Sequence, residues 1–218
     1  DQDLVYVVTP SSQDGCDGVP FELTVTVSAR PSIGNKNLGA CSGVPFELTP
    51  FDNAPTEIVP LNTLYTWTVL PGADLADLTG YSDQTTGVPT INQNLTNLSD
   101  ESKTIIYQVN PVNGTCDGLP FEVEVVVSPS PFVEDIIVAP ICSNDTLTVA
   151  PETGIPNPNN IVPLGTTYTW TVVDNTDVTG DIDQPIAQNE ISQTLINTSS
   201  VVQTVVYTVV PSLTSCDV

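Results

Sequence analysis

Apolar and polar positions alternate with a period of two through much of this 218-residue chain. In Phe121-Glu122-Val123-Glu124-Val125 every second side chain is apolar and carboxylates lie between, and Tyr168, Trp170 and Val172 alternate with threonine in the same way. Such alternation belongs to strands with one face on a core and the other in water. It predicts strands at about 45–49, 64–69, 90–96, 103–109 and 119–127, with one more near 135–139. Composition supports this reading, because 30 Val and 29 Thr favour extended backbone while 20 Pro and 13 Gly punctuate it, leaving little room for helix.

The pattern also repeats over a longer distance. Cys16-Asp17-Gly18-Val19-Pro20-Phe21-Glu22-Leu23 returns as Cys116-Asp117-Gly118-Leu119-Pro120-Phe121-Glu122-Val123. Ile58-Val59-Pro60-Leu61, followed by Tyr65 to Val69, returns as Ile161 to Leu164 followed by Tyr168 to Val172. Tyr6, Tyr107 and Tyr207 each precede a proline by four residues. A period of about 100 residues is the size of one sandwich domain and too long for a solenoid coil. Six or seven short antiparallel strands per period predict an all-β protein of tandem immunoglobulin-like sandwiches, end to end. The copies divide the chain into the last strands of one repeat (1–31), a complete repeat (32–130) and a repeat lacking its last strand (131–218), and the whole reads as a section of a longer array. Arg30-Pro31 and Ser128-Pro129-Ser130-Pro131 are short, stiff joints. Trp67 and Trp170 on the third strand, with Tyr107 and Tyr207 on the penultimate one, are read as core anchors because they alternate with outward residues.

Charge narrows the function classes. The chain has 26 acidic residues against Arg30, Lys36 and Lys103, a formal charge of −23, and no His. Three cations cannot displace the counterions of a nucleic acid, and an anionic membrane surface repels such a chain. No 18-residue apolar run is present, so membrane insertion is not expected. Without His, the Ser-His and Cys-His nucleophile pairs and the usual zinc ligand are unavailable to any mechanism. A glycosidase pair of carboxylates needs a cleft that a small tandem sandwich lacks.

Two acidic loops stand out. Asp77-Leu-Thr-Gly80-Tyr-Ser-Asp83-Gln84 corresponds to Asp177-Val-Thr-Gly180-Asp181-Ile-Asp183-Gln184. Asp77, Asp83, Asp177, Asp181 and Asp183 are candidate ligands for Ca²⁺, which gathers six to eight oxygens; the plain alternative is that Asp favours turns. Five cysteines allow three pairings that respect the period. Within a repeat, Cys41 joins Cys116 and Cys142 joins Cys216; across a joint, Cys16 joins Cys41 and Cys116 joins Cys142. The third pairs Cys41 with Cys216 between successive repeats. A sandwich places the turns before its second and last strands at opposite ends, which favours the third, and free thiols are the alternative. Asn94, Asn97, Asn113, Asn144 and Asn197 head N-x-Ser/Thr triplets, by-products of an Asn- and Thr-rich composition.

The combination Pro-Leu-Gly-Thr-Thr-Tyr-Thr-Trp-Thr-Val (163–172), Ile-Ser-Gln-Thr-Leu (191–195), Thr-Val-Val-Tyr-Thr-Val-Val-Pro (204–211) and Cys-Asp-Gly-x-Pro-Phe resembles the PKD-like repeats of very large Bacteroidetes surface proteins. That resemblance implies export by the type IX secretion system, an extracellular place on the bacterial cell surface, and relatives among SprB-like gliding adhesins. It also marks Thr146, in Asp145-Thr146-Leu147, as similar to an O-glycosylation signal. The function expected is a non-enzymatic stalk repeat of a long adhesin or filament, whose partners are neighbouring repeats and, by strand addition at the terminal strands, copies of itself. The alternative is a calcium-dependent glycan-binding module, for which Tyr81 is the one aromatic beside an acidic loop.

Overall fold

The computed structural model describes residues 2–214 and is built from strands, with one short 3₁₀ turn at Ala73–Asp77. Residues 2–27 form a hairpin of β1 (Gln2–Val8) and β2 (Phe21–Val27), paired from Gln2 opposite Val27 to Val8 opposite Phe21. The complete repeat contains β3 (Lys36–Cys41), β4 (Pro45–Leu48), β5 (Leu64–Val69), β6 (Leu78–Thr79), β7 (Gln84–Val88), β8 (Ile91–Asn94), β9 (Thr96–Asn97), β10 (Lys103–Asn113), β11 (Cys116–Asp117) and β12 (Phe121–Ser128). The last repeat contains β13 (Thr146–Val149), β14 (Thr167–Val172), β15 (Val178–Thr179), β16 (Gln184–Gln188), β17 (Ile191–Thr194), β18 (Ile196–Asn197) and β19 (Tyr207–Ser212).

In the complete repeat one sheet runs β3-β12-β10-β5-β7, with β11 on the end of β10. Facing it are the antiparallel pairs β4-β8 and β6-β9. Inward residues of both layers meet in one core: Phe46, Leu78, Ile91 and Leu95 on one side, Tyr65, Trp67, Ile105, Tyr107, Val109, Phe121, Val123, Val125 and Val127 on the other. This is the β-sandwich that the alternation predicts. At about 25 cal/mol per Å² of apolar surface, each of these fully buried side chains contributes about 1.5–3 kcal/mol. Phe46 lies 6.0 Å from the Tyr107 ring across the interlayer, and Phe121 meets Tyr65 edge-on at 6.5 Å.

One pairing governs how the chain passes through the sandwich. β3 lies parallel to β12, with Lys36 opposite Val123 and Cys41 opposite Ser128. Both strands therefore run the same way, so the chain enters at one pole of the repeat and leaves at the other. The entering segment is anchored where Leu119 N donates to Pro31 O (3.3 Å) and Ser32 pairs with Ile58. The leaving segment is anchored where Ser42 N donates to Ser128 O (2.9 Å) and Ser130 Oγ to Ser42 O (3.0 Å).

The predicted strand near 135–139 does not form. Aligned on Cys41 and Cys142, residues 137–142 are the counterpart of β3, whose strand partner among the described residues is its parallel neighbour β12. Among the described residues no such neighbour lies beside 137–142, and an unpaired strand leaves its backbone groups to water. The same dependence appears in β1 and β2: Tyr6, Phe21, Leu23 and Val27 are about half exposed, whereas their counterparts Tyr107, Phe121, Val123 and Val127 are buried.

Candidate functional site

The two acidic loops cross from one layer of the sandwich to the other, from β6 to β7 and from β15 to β16. Each turns at a glycine with a left-handed backbone, Gly80 (φ +85°) and Gly180 (φ +93°). A Cβ at either would stand 2.1 Å from a backbone oxygen, that of Asn94 or Thr194, so only glycine lets the loop approach β8 or β17 this closely.

Beyond the glycine, the loop is held by a hydrogen-bonded cluster that reaches into the core. Trp67 Nε1 donates to Ser82 O at 3.1 Å, and Gln93 Nε2 donates to the same oxygen at 2.6 Å. The Gln93 amide also donates to Ser82 Oγ (3.0 Å). Its Oε1 accepts from Ser82 N (3.1 Å) and from the Tyr107 hydroxyl (2.7 Å). In the last repeat Trp170 Nε1 (3.2 Å) and Gln193 Nε2 (2.5 Å) share the Ile182 carbonyl, and Gln193 Oε1 accepts from Tyr207 (2.9 Å). Burial raises the pKa of both hydroxyls, with Asp181 adding to the rise at Tyr207. Both phenols are therefore neutral donors at ordinary pH.

The aspartates proposed as calcium ligands are engaged with the chain itself. Asp83 Oδ1 accepts from Val69 N and Asp183 Oδ1 from Val172 N, each at 2.8 Å. Asp77 pairs with Lys103 (2.8 Å), and its counterpart Asp177 accepts from Gln203 Nε2 (3.2 Å). Asp181 accepts from Asn175 N (3.3 Å). Among the described residues, no three His, Cys, Asp or Glu side chains come together as a metal site. Tyr81 is half-buried and packs on the core rather than standing free as a sugar platform. An open cleft of about 490 Å³ lies alongside, and Glu47 is the one carboxylate among its lining residues, which include Trp67, Ser82, Asn92 and Gln93.

Trp67, Trp170 and Tyr107 are buried, and Tyr207 is half-buried on the less complete core of the last repeat. Cys16, Cys116 and Cys142 are free thiols, so neither Cys41–Cys116 nor Cys116–Cys142 is formed. Cys41, opposite Ser128, and Cys116, opposite Asn113, sit at opposite poles of the sandwich; Cys216 lies outside the described residues. Thr146 is exposed on β13, with its Oγ1 2.8 Å from that of Thr194. Asn97, read as the head of a triplet, is buried instead and donates to Glu101 O (2.7 Å) and Val127 O (2.9 Å).

Gln93 and Gln193 were not singled out by the sequence reading. Their signal is a polar residue at the inward register of a strand, between Ile91 and Leu95 and between Ile191 and Leu195.

The sequence model of one family, described as PKD-like domain, matches residues 1–31, 40–131 and 139–217. The chain belongs to the PKD-like domain family. No curated protein matches it. Among solved structures it is similar to the chicken CNTN1 FN1–FN3 domains, at 13% identity and a TM-score of 0.35, over 96% of this chain and 67% of that one. A PKD-like β-sandwich fits a structural extracellular repeat module. Among the described residues no helix is long and apolar enough to cross a membrane.

Proposed function

We propose that these PKD-like repeats are a non-enzymatic stalk section of a long bacterial cell-surface adhesin or filament, with neighbouring repeats of the same chain as their partners. The parallel pairing of β3 with β12 carries this reading. Because the two joints leave from opposite poles, tension along the array pulls β3 and β12 in opposite directions along their own axes. The load then falls on all six register pairs of that ladder together rather than on one pair at a time. Each backbone hydrogen bond contributes about 0.5–1.5 kcal/mol net, so shared loading is what makes the ladder resist. A charge of −23 distributed over the repeats discourages collapse and bundling. The motif resemblance to large secreted surface proteins supports a cell-surface parent, gliding adhesins among them.

Small-angle X-ray scattering of the 218-residue chain tests the reading. β10 has 11 residues, or about 36 Å at ~3.3 Å per residue, so two repeats and a hairpin laid end to end reach about 90 Å. The expected radius of gyration is then about 26 Å, against about 17 Å for a compact globule of this length. A value near the compact limit would refute the stalk.

A further inference from the structure

The two layers of a sandwich share no backbone hydrogen bonds, so apolar contact alone leaves them free to slide, because it has no direction. Side-chain amides supply the missing direction: Asn97 of β9 donates to Val127 O of β12 at 2.9 Å, and Gln93 makes the more extensive link. It rises from β8 in one layer and accepts from Tyr107 on β10 in the other at 2.7 Å. The same amide holds the Ser82 carbonyl at 2.6 Å, to which Trp67 of β5 donates at 3.1 Å. Both lone pairs of that oxygen are thereby used, and one side-chain amide joins two strands of one layer, one of the other, and the crossing loop. Gln193, Tyr207, Ile182 and Trp170 repeat the arrangement in a different sequence context, Ile182 replacing Ser82. The carbonyl, the amide and the two aromatic donors are common to both copies, and the side chain at the loop position is not.

We infer that Gln93 and Gln193 are interlayer locks: each fixes the register of one sheet on the other and sets the resistance of its repeat to sheet separation. The inference deepens the stalk reading but is tested independently of it. The assays below report local opening, whereas overall extension reports the stalk.

The test uses the full chain, with Gln93→Met (same length, no hydrogen bonds), Tyr107→Phe, the double variant, and Gln93→Glu. Amide hydrogen exchange at Val69 and Ser82 and urea unfolding followed by fluorescence are the readouts. Gln93→Met and Tyr107→Phe are each expected to speed exchange at these amides about tenfold or more, with the double variant little worse than Gln93→Met, because that change already removes the bond Tyr107 makes. Gln93→Glu distinguishes a lock from a filler. An ionised carboxylate accepts from Tyr107 but cannot donate to Ser82 O, whereas the protonated acid can. Stability of Gln93→Glu relative to the unsubstituted chain is therefore expected to recover as pH falls through the titration of that carboxyl. Exchange within about twofold of the unsubstituted chain in Gln93→Met, strictly additive effects, or a pH-independent deficit in Gln93→Glu would each overturn the lock.

Discussion

Replacing Gly80 by alanine puts the rigidity of the crossing loop to a quantitative test. Two costs arise in the structure. A left-handed backbone with a Cβ costs about 1–2 kcal/mol. The added carbon would stand 2.1 Å from the Asn94 carbonyl oxygen, and ordinary C···O contacts are about 3.3 Å or more, so backbone must yield by about 1.2 Å. The two-residue ladder of β6 and β9 has no slack for such a shift. Loss of one ladder hydrogen bond costs about 1 kcal/mol, and drawing Ser82 O away from the buried Trp67 Nε1 costs about 1–3 kcal/mol more. The sum is about 3–6 kcal/mol, enough to lower the melting temperature of a domain this size by about 12 °C or more. Trp67 fluorescence in a Trp170→Phe background reports the complete repeat alone, since the chain has two tryptophans. Gly114→Ala is the control, because Gly114 also has positive φ (+58°) but its Cβ would meet nothing within 4 Å. Gly114→Ala should therefore cost only the conformational part. Equal losses for the two variants would show that the Asn94 contact yields freely, and the argument for a fixed loop would fail.

Three further outcomes follow from the same contacts. Asp83→Ala removes the acceptor for Val69 N–H and should cost about 1–3 kcal/mol in urea unfolding, equally with and without added Ca²⁺; a calcium-dependent rise in midpoint of the unsubstituted chain would contradict the role given to Asp83. Alkali should weaken the complete repeat between about pH 10 and 12. Burial pushes the Tyr65 hydroxyl up to about 12 from the ~10 of an unfolded chain, so its contribution is intact below pH 10 and is lost as pH rises through that window. The Lys103 ammonium is raised by its hydrogen bond to Asp77 and its contribution is lost in the same direction, so Lys103→Gln, the pairing seen with Gln203, should flatten part of the decline in urea midpoint.

The strand at 64–69 was legible to the residue because Tyr65, Trp67 and Val69 alternate with polar neighbours, and that register is set by local geometry. β3 was not legible: Lys36-Asn37-Leu38-Gly39-Ala40-Cys41 carries no clean alternation, and only its ladder with β12, about 87 positions away, makes it a strand. The acidic loops were found, but not the partners their carboxylates take within the chain. Spacing displays carboxylates without displaying the N–H groups they meet, and Val69, Val172 and Asn175 supply those donors after folding. Gln93 escaped notice for the related reason that an inward polar residue becomes meaningful only when Tyr107, 14 positions on, is seen to face it.

By itself the sequence determined the repeat, the strand alternation, the glycine turns and a chain with 26 acidic and 3 basic side chains, because all of these are periodic or compositional. Tertiary structure alone decided which apolar faces are covered. Phe21 and Phe121 stand in nearly the same octapeptide, yet Phe21 is 53% exposed and Phe121 2%. Both alternate in the same register, but burial needs partners from distant segments. Phe121 has Tyr65 and the strands of its own sandwich around it, and among the described residues Phe21 lies in the two-stranded hairpin of β1 and β2.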